Sequence, residues 1–189
     1  VTLSSIGAHL FEGTGPIRGL HDLEKKLERL GQAEGVHLRA AYFMENHLWS
    51  LPVIRERGVN GSPIRPDAPM PMVATKDIAD EAARMLLAKI LPGHSVRYLL
   101  GPRSLTMTEA TRILGQAIGK PDLRYVQFSE EEARKAMSGM GMSASMIDAL
   151  LEMDRGLNTG RIRPTEERNA SNTTPTTLEE FATTVFARS

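Results

Sequence analysis

The stretch VTLSSIGAHLFEGTGPIRGLHDLEKKLERLGQAEGVHLRAAYF, residues 1–43, decides the fold of this chain. Its first six residues favour extended backbone and end at Gly7, which predicts a strand. Apolar residues then recur at helical spacing on one face, followed by Gly31 as a helix terminator: Ile17, Leu20, Leu23, Leu27 and Leu30. Alternating Val36, Leu38, Ala40 and Tyr42 predict a second strand. A strand–helix–strand unit of this length implies parallel strands and a right-handed crossover.

The sequence after residue 43 continues as helices and strands and then becomes mostly helical. Pro52 is expected to kink or restart the helix that begins at Met44. Thr75 is a predicted N-cap, and Thr106, Ser129 and Thr177 each precede a Glu by three residues, which is the spacing of a capping box. The remaining segments are predicted as a proline-rich loop at 60–72, helices at 75–90, 106–119, 130–138, 144–155 and 178–187, strands at 95–100 and 123–128, and a polar loop at 163–175.

Composition excludes several classes of protein. The 189 residues contain no cysteine, so disulfides, thiolate zinc sites and a cysteine nucleophile are ruled out. Lys and Arg (23) balance Asp and Glu (23), and we therefore expect no direct nucleic-acid partner. The apolar runs fall far short of the roughly 20 residues that span a bilayer, so we expect no membrane segment and a cytoplasmic protein. The five histidines lack metal-ligand spacing, and no metal is expected.

Six segments, in this order, resemble the NmrA-like family of atypical short-chain dehydrogenase/reductases. They are VTLSSIGAH (1–9), HDLEKKLERLG (21–31), HLRAAYFMENHL (37–48), MVATKDIADEAARML (72–86), YLLGPRSLTMTEATRILGQAIGK (98–120) and TPTTLEEFA (174–182). The resemblance implies an α/β fold. Residues 1–100 would be the C-terminal portion of a Rossmann-type doubly wound parallel sheet, with 44–71 crossing towards a second lobe. Residues 101–189 would form that smaller, mostly helical substrate-binding lobe.

The resemblance also implies a dinucleotide cofactor, NADP or NAD, with NADPH favoured by the resemblance alone. The glycine-rich loop that holds the pyrophosphate in such proteins is absent here. The only glycine cluster, Gly139 and Gly141, follows a helical segment and cannot serve as that loop. We therefore expect upstream sequence to supply the phosphate side of the cleft, and this chain the nicotinamide and substrate side.

Ser4 and Ser5 lie where the resemblance places the strand end beside the nicotinamide. Ligands of open α/β sheets bind beyond the carboxyl ends of strands, which agrees with this placement. The alternative is that these hydroxyls only satisfy backbone groups at a turn. Tyr42 and Phe43 follow the second strand and would form apolar walls of the cofactor pocket, or else belong to the ordinary core.

Glu45, Asn46, Met140 and Met142 are candidates for the substrate pocket. Glu45 and Asn46 would open the next helix towards the pocket, although a polar pair at a helix start also complements the helix dipole. Met140 and Met142 belong to a methionine-rich stretch that could cover the cleft or fill an irregular core. The charged run from Glu24 to Arg29 is interpreted as a solvated helix face.

The proton-donating pair of the superfamily, Tyr-x-x-x-Lys, is not recognisable. Counting back from Glu24 places Pro16 and Leu20 at the two positions. A shifted register places His21 and Lys25 there, but Lys25 and the leucine face of the helix then disagree with the rest of the resemblance. His9, just beyond Ser5, is the remaining candidate for an acid in the cleft. The catalytic residues therefore stay unassigned from the sequence.

Three functions are compatible with the lack of a recognisable Tyr/Lys pair. The first is an NAD(P)H-dependent oxidoreductase that passes hydride to a small planar acceptor such as a quinone, which needs little acid help. The second is a non-catalytic NAD(P)H redox sensor that regulates a protein partner. The third is a sugar-nucleotide epimerase-like enzyme, which the missing Tyr/Lys pair disfavours because such enzymes use it. The oligomeric state is left open.

Overall fold

A computed structural model describes residues 1–30, 35–88 and 94–189 of the chain. Strands are β1 (Thr2–Ser5), β2 (Gly35–Ala40), β3 (Tyr42–Phe43), β4 (Val59–Ser62), β5 (Met70–Val73), β6 (His94–Leu99), β7 (Ser104–Leu105) and β8 (Arg124–Gln127). Helices are α1 (Ile17–Glu28), α2 (Leu51–Arg57), α3 (Thr75–Ala88), α4 (Met107–Ala117), α5 (Glu130–Gly139), α6 (Ala144–Asn158) and α7 (Leu178–Thr184), with 3-10 turns at Met44–Ser50 and Phe186–Arg188. No helix among these described residues is long and apolar enough to cross a membrane.

The first lobe is built on a three-stranded parallel sheet of order β1-β2-β6. Helix α1 connects β1 to β2, and its Glu24 pairs with Arg39 of β2. Helix α3 pairs through Glu81 with Arg97 of β6. In the sheet register Arg39 lies opposite Tyr98, so Arg39 and Arg97 point to opposite faces and the two helices cover both sides. The parallel strand–helix–strand unit predicted from the sequence, and with it the Rossmann-type α/β fold, is confirmed.

The second lobe packs α4, α7 and the 3-10 turns around a separate apolar core. Strand β5 pairs in parallel with β3 and antiparallel with β7, and β4 pairs in parallel with β8. The core draws apolar side chains from several elements of the lobe, among them Met44, Ile54, Met72, Leu114, Phe181 and Phe186. Ala133 of α5 and Ile147 and Leu151 of α6 form a separate small cluster. Residues 44–74 contribute to this second core, while Ile162 from the C-terminal part packs into the first.

Two local predictions were wrong. The proline-rich segment 60–72, expected to be a loop, holds most of β4 and part of β5; Pro63, Pro66 and Pro69 lie between these short strands, and Pro71 is the second residue of β5. The second strand does not run on to Tyr42; β2 ends at Ala40 and Tyr42 begins β3, which pairs with the other lobe. The predicted terminator Gly31 lies outside the described residues.

The predicted helix starts are largely confirmed. Thr106 with Glu109 and Ser129 with Glu132 form reciprocal capping boxes. Thr177 accepts a hydrogen bond from the backbone N–H of Glu180 at 3.1 Å. Pro52 restarts the chain as α2, where it occupies the first turn and needs no N–H partner. Thr75 is the first residue of α3 and not its N-cap, since Glu45 caps this helix from a distance, as described below.

Gly101 joins the two lobes at the carboxyl end of β6. Its φ is +68°, a left-handed conformation that L-residues adopt at a cost. A Cβ on this residue would also collide with the carbonyl oxygen of Met72 in β5, so the glycine permits a close backbone approach. Gly119, at the end of α4, has φ +71°, but a Cβ on it would meet no atom within 4 Å.

We expect Gly101→Ala to lower the free energy of unfolding by considerably more than Gly119→Ala. Both variants carry the left-handed strain of about 1–2 kcal/mol, and only Gly101→Ala adds the collision with the backbone of β5. Urea denaturation of the two variants measures the difference. Equal losses would show that the close contact between β5 and residue 101 does not constrain the fold.

Candidate functional site

The carboxyl ends of β1 and β2 lie side by side. Ser5 is opposite Ala40 in the register, and the N–H of Ile6 donates to the carbonyl of Ala40 at 2.9 Å. The N–H of Ala41 in turn donates to the carbonyl of Leu99 in β6 at 3.0 Å. The segments that follow β1 and β2 therefore leave the sheet at neighbouring points of one edge, which is where ligands of parallel α/β sheets bind.

Ser4 does not reach that edge. It is buried, and its hydroxyl donates to Oε1 of Glu24 at 2.5 Å, on the face of the sheet that α1 covers. Ser5 points to the other side, since successive strand residues alternate. Within the described part of the chain, the half-buried Ser5 hydroxyl has no side-chain hydrogen-bond partner. Of the two serines, Ser5 is thus the one available to a ligand at the strand end.

Glu24 is the centre of a buried polar network behind the strand ends. It is 1% exposed and accepts hydrogen bonds from Nε and Nη2 of Arg39 at 3.0 and 2.6 Å. Arg39 also donates from Nη1 to the hydroxyl of Tyr98 at 3.1 Å, and that hydroxyl lies 2.9 Å from Oγ1 of Thr165. The network therefore ties α1 to all three strands of the sheet and to the C-terminal segment.

Burial works against the charge on Glu24, but the hydrogen bonds from Arg39 and Ser4 outweigh it and hold the pKa of this carboxyl below its ordinary value. The prediction that the run from Glu24 to Arg29 forms a solvated face was therefore wrong for Glu24. Lys25 and Glu28 do form an exposed pair at 2.8 Å. An arginine inside the mostly buried strand β2 was the sequence signal for a buried partner, because a buried cation needs one.

Tyr42 and Phe43 stand between the two lobes. Tyr42 packs against the core of the second lobe and Phe43 against the core of the first. The Tyr42 ring lies 5.7 Å from the ring of His47, whose pKa is lowered to about 4 by burial. Burial raises the pKa of Tyr42, with smaller contributions from Tyr125 and Asp154, so its phenol stays protonated. The two residues therefore connect the sheet edge to the second lobe.

Glu45 is engaged in capping α3. Its Oε1 accepts hydrogen bonds from the backbone N–H and the hydroxyl of Thr75 at 3.0 and 2.6 Å. A carboxylate at the N-terminus of a helix satisfies free N–H groups and complements the helix dipole. Asn46 is half-buried and lies close enough to Tyr42 to oppose the rise in the tyrosine's pKa.

Met140, Met142 and His9 lie at the periphery. Met140 is 68% exposed at the end of α5, whereas Met142 packs against the small cluster of Ala133, Ile147 and Leu151. His9 is exposed in the loop after β1. Partial burial and the nearby charges of Arg39 and Arg163 lower the pKa of His9, which keeps its ring neutral at pH 7.

The structure locates the four residues that the two registers of the sequence proposed for the superfamily's Tyr/Lys pair. Pro16 is the residue before α1, and Leu20 packs against the first core. In the shifted register, Nδ1 of His21 lies 2.8 Å from the carbonyl of Ala8 and Lys25 pairs with Glu28 in solvent. That the ordinary pair is missing from this chain stays a prediction from the sequence.

A cavity of about 520 Å³ opens farther along the same edge, beyond β6. Its lining consists of Leu100, Ser104 and most residues of the segments 65–71 and 157–168, and none of the residues proposed from the sequence is among them. Arg168 forms part of its wall and donates to the carbonyls of Gly101 and Leu100 at 3.0 and 3.3 Å. Ile162 also belongs to this wall. Its side chain packs directly against Gly7, where an added Cβ would lie 3.0 Å from Cγ2 of Ile162, so Ile162 stands between the cavity and the end of β1.

Comparison with curated proteins finds two relatives whose names describe reductases or oxidoreductases. No family model matches the chain. The sequence is 32% identical over 138 residues to an NAD(P)H azoreductase of Xenophilus azovorans, covering 72% of this chain and 46% of that protein. It is 26% identical over 182 residues to an uncharacterized oxidoreductase of Bacillus subtilis, covering 93% of this chain and 60% of that protein. The chain thus spans about half the length of the curated relatives it matches.

Solved structures share the fold along nearly the whole chain. The NADPH-dependent quinone oxidoreductase of Escherichia coli superposes with a TM-score of 0.76 at 24% identity, covering 97% of this chain and 66% of that one. The negative transcriptional regulator NmrA, in complex with NADP, superposes with a TM-score of 0.67 at 16% identity, covering 98% and 64%. At these identities the likeness establishes the fold.

Replacing Glu24 with Gln leaves the buried Arg39 guanidinium without a carboxylate. We expect the free energy of unfolding at pH 7 to fall by about 3–5 kcal/mol, the usual cost of breaking a buried ion pair. Because folding lowers the pKa of Glu24, the wild-type advantage is complete above 4.5 and is lost as the pH falls through the folded-state value. Urea denaturation across this pH range measures both effects.

Glu28→Gln is the matched control, since it removes the exposed pair with Lys25 on the same helix. An exposed pair contributes about 1 kcal/mol or less. Similar losses in the Glu24 and Glu28 variants would contradict a special role for the buried pair.

Proposed function

We propose that this chain, an NmrA-like member of the atypical short-chain dehydrogenase/reductases, forms the nicotinamide and acceptor side of an NAD(P)H-dependent oxidoreductase. Its acceptor is a small planar molecule, such as an azo compound or a quinone. The observation that carries the proposal is the placement of Ser5 and the Tyr42–Phe43 pair beyond adjacent carboxyl ends of a parallel sheet. A second observation supports it: the curated relative at 32% identity is named an NAD(P)H azoreductase.

The residues at this edge fit the reactive end of a dinucleotide. Ser5 offers a half-buried hydroxyl without a side-chain partner in the described chain, suited to the carboxamide of a nicotinamide. Phe43 and Tyr42 offer flat apolar surfaces for the ring. Ser4 contributes indirectly, by fixing the β1 end against Glu24. When bound, the dinucleotide supplies the hydride.

The class of acceptor is inferred from the lack of a recognisable Tyr/Lys pair. Without a Tyr/Lys pair, reduction of an ordinary ketone lacks its proton donor. A quinone stabilises the developing negative charge over its ring and an azo bond is readily reduced, so both place smaller demands on the protein. Asn46 would contact such an acceptor beside Tyr42, with Met142 and Met140 as an outer cover and Glu45 fixing the loop. NADPH is favoured over NADH because the structural relative of Escherichia coli is NADPH-dependent.

A redox sensor is the second candidate, and one specific observation favours it. The transcriptional regulator NmrA shares this fold and was solved with NADP. A sensor needs the same nicotinamide-side edge but a protein partner in place of an acceptor. Tight binding of the dinucleotide with no turnover of any acceptor would identify this function.

We expect the full-length protein to oxidise NADPH in the presence of azo dyes or quinones, followed by absorbance at 340 nm. Ser5→Ala should raise the Kd for NADPH about fivefold to tenfold, which corresponds to loss of one hydrogen bond of about 1 kcal/mol. Ser138→Ala, an exposed serine on α5, is the control and should leave the Kd unchanged. An unchanged Kd in the Ser5 variant would contradict the placement of the nicotinamide.

A further inference from the structure

The cavity of about 520 Å³ beyond β6 lies where the two lobes meet. Met70 on its wall belongs to the core of the second lobe, whereas Leu100 and Ile162 belong to the core of the first. Leu157, near the end of α6, packs against both cores and also lines the cavity. These four side chains, three of them buried, give the cavity an apolar inner surface.

Hydrogen bonds hold the walls of the cavity in place. Asn158 of α6 donates from Nδ2 to the carbonyl of Pro63 at 3.0 Å and accepts at Oδ1 from the N–H of Arg65 at 2.7 Å. The N–H of Leu100 donates to the carbonyl of Asn172 at 2.9 Å, which ties the C-terminal segment to the sheet just after the cavity wall. The walls are therefore set by the fold, and binding of a ligand requires little ordering of the chain.

Arg168 differs from the other charged residues that line the cavity. Among the described residues of the lining, it alone of the charged side chains is half-buried. The other five are exposed to solvent, and two of them form an ion pair at 2.7 Å: Arg65 with Asp67, and Arg163, Glu166 and Glu167. Water and salt screen exposed charges, so the charge inside the cavity comes mainly from Arg168.

The guanidinium of Arg168 contacts only neutral groups within the described ranges. Its Nε donates to the carbonyl of Gly101 at 3.0 Å, and its Nη2 donates to the carbonyl of Leu100 at 3.3 Å and to Oγ of Ser104 at 3.2 Å. In the same ranges no carboxylate pairs with it, and its Nη1 has no hydrogen-bond partner. Burial lowers the pKa of Arg168. Arg168 is therefore a partly buried cation that lacks a counter-ion, which is an unfavourable state for a charge.

We propose that this cavity binds a small organic anion, a carboxylate carried on an apolar ring. The carboxylate accepts a hydrogen bond from Nη1 of Arg168 and neutralises its charge, and the ring lies against Leu100, Leu157 and Ile162. The cavity volume of about 520 Å³ is typical of small-molecule sites and far exceeds that of a bare inorganic ion. One unpaired guanidinium favours a single negative charge over the two of a phosphate.

This site is separate from the proposed nicotinamide site. The side chain of Ile162 stands between the cavity and the end of β1, and Ser5, Tyr42 and Phe43 are not among the residues that line the cavity. The proposal therefore goes beyond the oxidoreductase function and does not depend on it. Binding of the anion needs no NAD(P)H, and loss of Arg168 leaves the Kd for NADPH unchanged.

Isothermal titration calorimetry of the full-length protein without cofactor tests the site, with naphthoate as the probe. Acetate lacks the ring and naphthamide lacks the charge, so we expect both to bind more weakly than naphthoate by about tenfold or more. Naphthamide that binds as tightly as naphthoate would show that Arg168 does not select an anion, and the proposal would be wrong. It would be equally wrong if naphthoate failed to bind at a concentration of about 1 mM.

Arg168→Gln removes the cation, and Arg161→Gln is its matched control. Arg161 is exposed on the same segment, carries the same charge and lies outside the cavity lining. We expect the Kd for naphthoate to rise by about tenfold or more in Arg168→Gln and to stay within about twofold of wild type in Arg161→Gln. An equal Kd in the two variants would overturn the assignment of Arg168.

Ala68→Phe tests the apolar part of the site while leaving Arg168 in place. Ala68 is a half-buried residue of the lining, so a larger side chain there narrows the cavity. We expect the Kd for naphthoate to rise by about fivefold or more, and an unchanged Kd would place the ligand elsewhere. This variant decides the question if Arg168→Gln shows no cooperative thermal unfolding.

Methyl resonances locate the bound probe. Naphthoate should shift the methyl signals of Ile162 and Met70, which line the cavity, and leave that of Ile147 unchanged, because Ile147 lies in the separate small cluster of α5 and α6. Shifts that spare Ile162 and Met70 would show that naphthoate binds outside the cavity and would overturn the proposal. Because these measurements use no cofactor, their outcome is independent of whether the protein oxidises NADPH.

Discussion

The buried ion pair between Glu24 and Arg39 is the constraint on which the rest of the first lobe depends. Two charges removed from water are tolerated only when their remaining hydrogen-bonding groups are satisfied. Here Ser4 and Tyr98 complete the shell, so α1 can lie on the sheet in only one register. That register fixes where β1 and β2 end relative to each other. The position of the proposed nicotinamide site follows from it.

The buried ion pair between Glu24 and Arg39 gives the adjacent residues Ser4 and Ser5 different roles. Ser4 is turned towards the helix and completes the ion pair, while Ser5 is turned to the opposite side of the strand. One supports the geometry and the other is available to a ligand. Alternation of side chains along a strand makes this division unavoidable once Glu24 is placed, because the hydroxyls cannot both face the same side.

The crossing at residues 40–46 links the two lobes. Tyr42 packs on one core and Phe43 on the other, and Glu45 caps α3 across a sequence distance of thirty residues. The crossing segment is therefore held at both ends and at its side.

The sequence alone determined the parallel strand–helix–strand unit and the helix starts, because apolar periodicity and Ser/Thr–Glu spacing are local properties of the chain. It also pointed to the strand ends at Ser4–Ser5 and Tyr42–Phe43 through the resemblance. The short strands β3, β4 and β7 escaped prediction, since so few residues carry too little periodicity and depend on partners far away in the chain. Tertiary structure alone decided which serine faces the ligand edge, that Glu24 is buried, and that Glu45 caps α3. Each of these depends on a contact between segments that are distant in the chain, which no local pattern encodes.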